Sequence, residues 1–204
     1  MIPKGSVNGD QDVNVLDVMK TVNIILGTIT PTPWQTWAAD MNNDGVVDVA
    51  DIIRIINRSF SAASLAGDIR ASAVTTAKRV TVDSAWSKNA QGNLVMAIRL
   101  SNATGVAGVQ LDVTYNSSLA TPLNVQKGAL IASASGWSLY SRDLGGTIRI
   151  LAFNGSAQGL TGGSGSIVTI EFRSSAKRKV ANIAAVKLVD GAGSVIPSRI
   201  APGS

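Results

Sequence analysis

The chain has no cysteine and no histidine. Disulfides, thiolate zinc sites, thiol nucleophiles, Ser-His-Asp triads and the usual imidazole metal ligands are therefore excluded. Glu171 is the single glutamate. Its alternation with Val168, Ile170 and Phe172 turns it outward, which argues against a buried carboxylate pair of the glycosidase kind. Aromatic residues make up only 4%, too few for base-stacking platforms or for broad flat sugar platforms. No apolar run approaches the ~20 residues needed to cross a bilayer as a helix. Met1-Ile2-Pro3-Lys4 does not read as a secretory leader, which suggests a mature fragment. What remains is a 204-residue chain with 45% hydrophobic residues, enough for one or two packed domains.

Charge is unevenly divided. Residues 1–60 hold seven acids (Asp10, Asp12, Asp17, Asp40, Asp44, Asp48, Asp51) against four bases, net −3, and the rest hold six acids against fourteen bases, net +8. The bases are scattered, so the high isoelectric point does not read as a nucleic-acid footprint. An acidic part beside a basic part fits attraction between protein surfaces better.

The acids are concentrated in one stretch, Asp40-Met41-Asn42-Asn43-Asp44-Gly45-Val46-Val47-Asp48-Val49-Ala50-Asp51. Oxygen side chains stand at loop positions 1, 3, 5, 9 and 12 (Asp40, Asn42, Asp44, Asp48, Asp51), position 6 is Gly45, and Val46 at position 7 can offer only its carbonyl. That is the ligand spacing of an EF-hand-like calcium loop, with glycine where the backbone turns sharply. Four aspartates in twelve residues would repel one another without a cation between them. Ser6 to Asp17 repeats the pattern 34 residues earlier. Asn8, Asp10, Asn14 and Asp17 keep their places and Asp12 supplies the position 7 carbonyl. Ser6 replaces the first carboxylate and Gln11 replaces the glycine. Two Ca²⁺ sites are expected, and the 40–51 site should be tighter, because ligand charge tunes calcium affinity.

An apolar run at helical spacing follows each loop: Val18, Val22, Ile25 and Leu26, then Ile52, Ile53, Ile56 and Phe60. The first helix is expected over residues 15–26, with Gly27 beyond its end. Pro33 to Ala39 is expected to form a short helix ahead of the second loop. Residues 61–77, rich in Ala, Ser and Thr, read as a linker spanning on the order of 20–25 Å. Beyond Lys78 the period changes to two. Val80 to Val82, Leu94 to Leu100, Gly108 to Tyr115, Gly146 to Phe153 and Ser166 to Arg173 are candidate strands, and two short strands flank Asp190 to Gly193. Many short strands broken by Gly, Asn and Ser indicate an all-β sandwich.

The paired loop–helix units of residues 5–60, both ending in aspartate at position 12, resemble a type I dockerin. The run Leu100-Ser101-Asn102-Ala103-Thr104-Gly105-Val106-Ala107-Gly108-Val109-Gln110-Leu111-Asp112-Val113-Thr114-Tyr115-Asn116, together with Val125 to Leu130 and Ile148 to Gly155, is similar to a cohesin; Asn116 stands where that family often has aspartate. The resemblances imply a small calcium-folded dockerin (1–60), a linker (61–77) and a nine-stranded jelly-roll sandwich (78–204). They imply a non-catalytic, extracellular or cell-surface assembly module of the cellulosome kind, with a cohesin as partner for the first part and a dockerin for the second. Dockerin recognition depends on loop positions 10 and 11, here Val15-Leu16 and Val49-Ala50. Val-Leu differs from Val-Ala, so the two repeats are not expected to be interchangeable. On the cohesin side, alternation turns Gln110, Asp112 and Thr114 outward on the strand expected to form the docking face. Arg149, Leu151 and Asn154 are candidates on a neighbouring strand. Three arrangements fit: an adaptor with two outside partners, a chain that pairs with itself within or between copies, or a structural or carbohydrate-binding sandwich with an appended dockerin, using Trp86, Trp137 and Tyr140.

Overall fold

The computed structural model describes residues 2–61, 77–82, 86–174, 176 and 179–201. The linker expected over 61–77 lies almost wholly outside them, as does the Phe60 side chain. Three helices form the N-terminal part: α1 (Val15–Ile25), α2 (Pro33–Ala39) and α3 (Val49–Ser61). Helix α1 starts at an Asn14–Asp17 capping box, and α2 at a Thr32–Gln35 box with Pro33 in its first turn. Helix α1 ends at Leu26, followed by Gly27 at φ +69°, the left-handed exit that glycine permits.

The C-terminal part is built from strands β1 (Lys78–Val82), β2 (Ser87–Lys88), β3 (Leu94–Leu100), β4 (Gly108–Tyr115), β5 (Ala120–Lys127), β6 (Trp137–Asp143), β7 (Thr147–Asn154), β8 (Gly165–Ser174), β9 (Ala181–Val189), β10 (Val195–Ile196) and β11 (Ser198–Ala201), with a helical turn α4 (Ala129–Ala132). Among the described residues nine strands are four residues or longer, and β2 and β10 are two-residue additions. One sheet runs β11-β1-β3-β8-β5 with β2 beside β3, and the other runs β10-β9-β4-β7-β6. Strands β1 and β11 are parallel; the other pairs are antiparallel. Strand β5 carries Pro122 beside a register shift and lies at a sheet edge, where a missing N–H is tolerated. The period-two signal did not mark β5 or β6 as strands.

Met96, Ile98, Ile170 and Phe172 of one sheet pack with Leu111, Val113, Ile148 and Ile150 of the other to fill the sandwich. A second core lies outside it. Val18, Val22 and Ile25 of α1 and Val49, Ile52, Ile53 and Ile56 of α3 are buried together with Ala107, Leu151, Phe153, Ala157 and Val189 of the strand part. The helical part is therefore seated on the outer face of the β9-β4-β7 sheet, with α3 against β4, β7 and β9.

Candidate functional site

The two loops close by the same pattern of hydrogen bonds. In residues 40–51, Gly45 N donates to Asp40 Oδ2, Asp44 N to Asn42 Oδ1, Val46 N to Asp44 Oδ1, Asp48 N and Asn42 N to Asp51, and Ala50 N to Asp48 Oδ1. In residues 6–17, Gln11 N donates to Ser6 Oγ, Asp10 N to Asn8 Oδ1, Asp12 N to Asp10 Oδ1, Asn14 N and Asn8 N to Asp17, and Leu16 N to Asn14 Oδ1. Each of these bonds has its counterpart at the same position of the other loop. Position 6 needs the left-handed conformation in both: Gly45 has φ +83° and Gln11 has φ +79°. A side chain there costs about 1–2 kcal/mol, so the loop form is imposed on Gln11 by the surrounding bonds.

The loops differ as cation sites. Asp40 Oδ1 is buried and has no hydrogen-bond partner, so an uncommitted oxygen is present at position 1 of the second loop. Ser6 is fully buried and its one side-chain oxygen already accepts from Gln11 N. Burial pushes the Asp51 carboxyl up to about 6, against the pull of backbone N–H groups from Asp48 and Met41. The Val46 N–H holds Asp44 below the usual carboxylate range. Among the described residues no three acids stand as a ready metal cluster; most of their oxygens are held by backbone N–H groups, Asp44 Oδ2 and Asp10 Oδ2 by the Asn42 and Asn8 side chains and Asp48 Oδ2 by Lys187. The donor set is all oxygen, with four carboxylates in the second loop, and fits a hard divalent ion.

Beside these loops lies the contact between helices and sheet. Val49 and Ala50 are completely buried, whereas Val15 is 67% and Leu16 61% exposed. The same positions of the two repeats thus have opposite fates. Val49 and Ile53 sit over Gly108: a Cβ there would lie 2.8 Å from Val49 Cγ2 and 2.6 Å from Val189 Cγ2. Gln110 Oε1 accepts from Val49 N, and Lys187, its register partner on β9, forms an ion pair with Asp48. Asn57 Nδ2 donates to Gly191 O at 2.8 Å. At the far end, α1 has no basic residue in its last turn. Its terminal carbonyls, Ile25 O and Leu26 O, accept instead from Arg149 and Arg142, cations well placed for a helix C-terminus. Arg149 also grips Asp112 through two hydrogen bonds of 2.8 and 2.9 Å, which raises the guanidinium's already high pKa. Tyr140 stacks on Phe153 and its hydroxyl meets Met19 Sδ.

Of the residues singled out from sequence, Val49, Ala50, Gln110, Arg149 and Leu151 come together at this contact, with Asp112 behind Arg149. Thr114 is exposed, its hydroxyl toward Asn182 O at 3.5 Å. Asn154 is buried, donates to Ser135 O and accepts from Ser156 N, bracing a turn. Sequence reasoning missed Lys187, Gly108, Arg142, Asn57, Phe153 and Val189. One signal was available: Ile150-Leu151-Ala152-Phe153 is continuously apolar, as befits a strand covered on both faces. The three candidate sugar-platform aromatics share no surface. Trp137 is in the sandwich core, Trp86 stacks with Phe172 at 5.9 Å, and Tyr140 faces α1. Glu171 accepts from the Asn89 and Asn93 side chains, tying down the β2–β3 turn.

No curated protein sequence matches the chain. Solved structures match the strand part. The cohesin of a type II cohesin–X-dockerin complex from Acetivibrio cellulolyticus has a TM-score of 0.52 at 10% identity, covering 62% of this chain and 96% of that one. The sixth cohesin of scaffoldin B from the same organism, solved with a dockerin, has 0.51 at 12%, covering 63% and 99%. A cohesin from a type I cohesin–dockerin complex of Clostridium thermocellum has 0.50 at 14%, covering 65% and 94%. At these identities the likeness concerns the fold. The family model of the dockerin type I domain matches residues 4–58 and that of the cohesin domain matches 79–195, more than half of the chain. The chain belongs to the cohesin family, and a type I dockerin domain precedes its cohesin domain.

Proposed function

We propose that this chain is a calcium-dependent assembly module whose dockerin, residues 1–60, occupies the cohesin, residues 78–204, of its own chain through the 61–77 connection. It works by binding and not by catalysis, outside the cell or at its surface. Ca²⁺ held by Asp40, Asn42, Asp44, Val46 O and Asp51, with Asp48 at position 9 acting through a water because its own oxygens serve Ala50 N and Lys187, fixes the end of α3 that meets the sheet. A weaker ion is held by Ser6, Asn8, Asp10, Asp12 O, Asn14 and Asp17. The ions supply cross-links between loop oxygens, so metal binding is in part folding free energy.

One observation carries the reading: α3 and the outer face of β4, β7 and β9 share a continuous apolar core, with Leu151 and Val189 completely buried beneath it. A short connection supplies an effective concentration of order mM, so a modest matched affinity closes the chain. The complexes formed by the cohesins of Acetivibrio cellulolyticus and Clostridium thermocellum support the same partnership here. Size-exclusion with light scattering tests it. A monomeric mass is expected with calcium and with chelator, with a larger hydrodynamic radius in chelator. Calcium-dependent oligomers would place the contact between chains, and a monomer whose radius ignores chelation would refute calcium-dependent closure.

A further inference from the structure

We propose that Lys187 on β9 selects which repeat of the dockerin seats on the sheet, by reading Asp48 against Asn14. This rests on the closed arrangement proposed above. The two repeats are matched in backbone: their loops close by the same bonds, and both lead into helices with Val at position 10. The sheet holds the end of α1 but the start of α3: Val49 and Ala50 are completely buried, and Val15 and Leu16 are exposed. Asp48 is 1% exposed. One of its oxygens accepts from Ala50 N at the start of α3 and the other meets the Lys187 ammonium. The equivalent residue of the first repeat is Asn14, whose Oδ1 accepts from Leu16 N in the same way but which carries no charge. Presented to Lys187, Asn14 leaves the ammonium half-buried without a counter-ion, a cost that the Asp48 orientation avoids. Size adds to charge two residues further on. Ala50 is completely enclosed within the core that the helices share with the sheet. Leu16, in Ala50's place, brings three more carbons into a site with no room for them. Charge at position 9 and small size at position 11 thus point to the same repeat.

Because the chain lacks cysteine, single thiols report orientation. Val15→Cys and Val49→Cys are made separately in the full chain with calcium, and their N-ethylmaleimide labelling rates are compared. In the parent background Val15→Cys labels fast and Val49→Cys slowly. Adding Asn14→Asp with Leu16→Ala, neither of them in the core, makes the repeats alike at positions 9 and 11. The ratio of the two rates then falls at least about tenfold, with Val15→Cys slowing as Val49→Cys quickens. Lys187→Met moves the ratio the same way by about tenfold, the scale of one charge-assisted hydrogen bond. A ratio unchanged in both backgrounds overturns the selection while leaving closure intact. Fast labelling at both positions in the parent chain means that the dockerin is not seated, and overturns closure and selection together.

Discussion

Replacing Leu151 by aspartate should open the chain while sparing both domains. Leu151 is completely buried, but beneath the helices and not inside the sandwich. An effective concentration of order mM and a matched Kd of ~1 μM give a closed-to-open ratio of ~1,000, or about 4 kcal/mol. Leu151→Ala costs about 2–5 kcal/mol if the site cannot collapse, which at the lower end leaves most molecules closed. Leu151→Asp loses about 1.5–3 kcal/mol of side-chain burial and adds several kcal/mol for a carboxylate with no partner in an apolar contact. The sum exceeds about 4 kcal/mol, so the open form dominates, and in it the introduced carboxylate faces water. Small-angle scattering reads the change. A compact chain of 204 residues has a radius of gyration of ~17 Å, and separation on the connection raises it by roughly 5–8 Å. Near-UV circular dichroism should retain the sandwich signal, since the inner face of β7, Ile148, Ile150 and Ala152, is untouched. An unchanged radius would refute the seating of α3 on β7. Loss of the sandwich signal would place Leu151 in the wrong core.

Other consequences can be checked separately. Asp40→Asn removes the carboxylate whose buried oxygen has no partner, and should weaken calcium binding at least about tenfold in a calorimetric titration; Ser6→Ala should change it far less. Gln11→Gly relieves the left-handed strain at φ +79°, partly offset by glycine's chain entropy, and should stabilise the dockerin by about 0.5–1 kcal/mol in scanning calorimetry. Arg149→Met removes a cap from Ile25 O at the end of α1 and leaves Asp112 without its bidentate partner. In a Leu151→Ala background, where closure is poised, it should lower the closed fraction by about 1–2 kcal/mol, read by the same scattering measurement.

The shared conformation of the two loops was legible because its information is local: oxygens at fixed spacing, a glycine at position 6 of the second, a capping residue before each helix. Of the two departures in the first loop, Ser6 and Gln11, the second keeps the loop conformation because the bonds to Ser6 and Asp17 over-determine it. Strands β3, β4, β7 and β8 were legible from alternation, as was the turn between β9 and β10. Strands β5 and β6 were not, since each lies at a sheet edge with one weakly buried face. The contact face was half legible. Gln110, Asp112 and Arg149 follow from strand parity; Val15-Leu16 and Val49-Ala50 differ locally, but that difference alone does not say which pair is buried. Their opposite burial is set by which helix the sheet accepts. Lys187 and Gly108 were invisible for the same reason. Lys187 meets Asp48 across 139 positions of chain, and Gly108 matters only once α3 has come to rest on β4.

If the proposed function holds, calcium and docking are linked, because an ion in the 40–51 loop fixes the residues that the sheet holds, Asp48, Val49 and Ala50. Reciprocity then requires that closure tighten calcium binding by the factor by which calcium tightens closure. Calorimetric titration of Ca²⁺ into the parent chain and into Leu151→Asp measures this directly. Tighter binding to the parent, by several-fold or more, is the expected result; equal affinities in the two chains would contradict the claim that the sheet grips the calcium-held form.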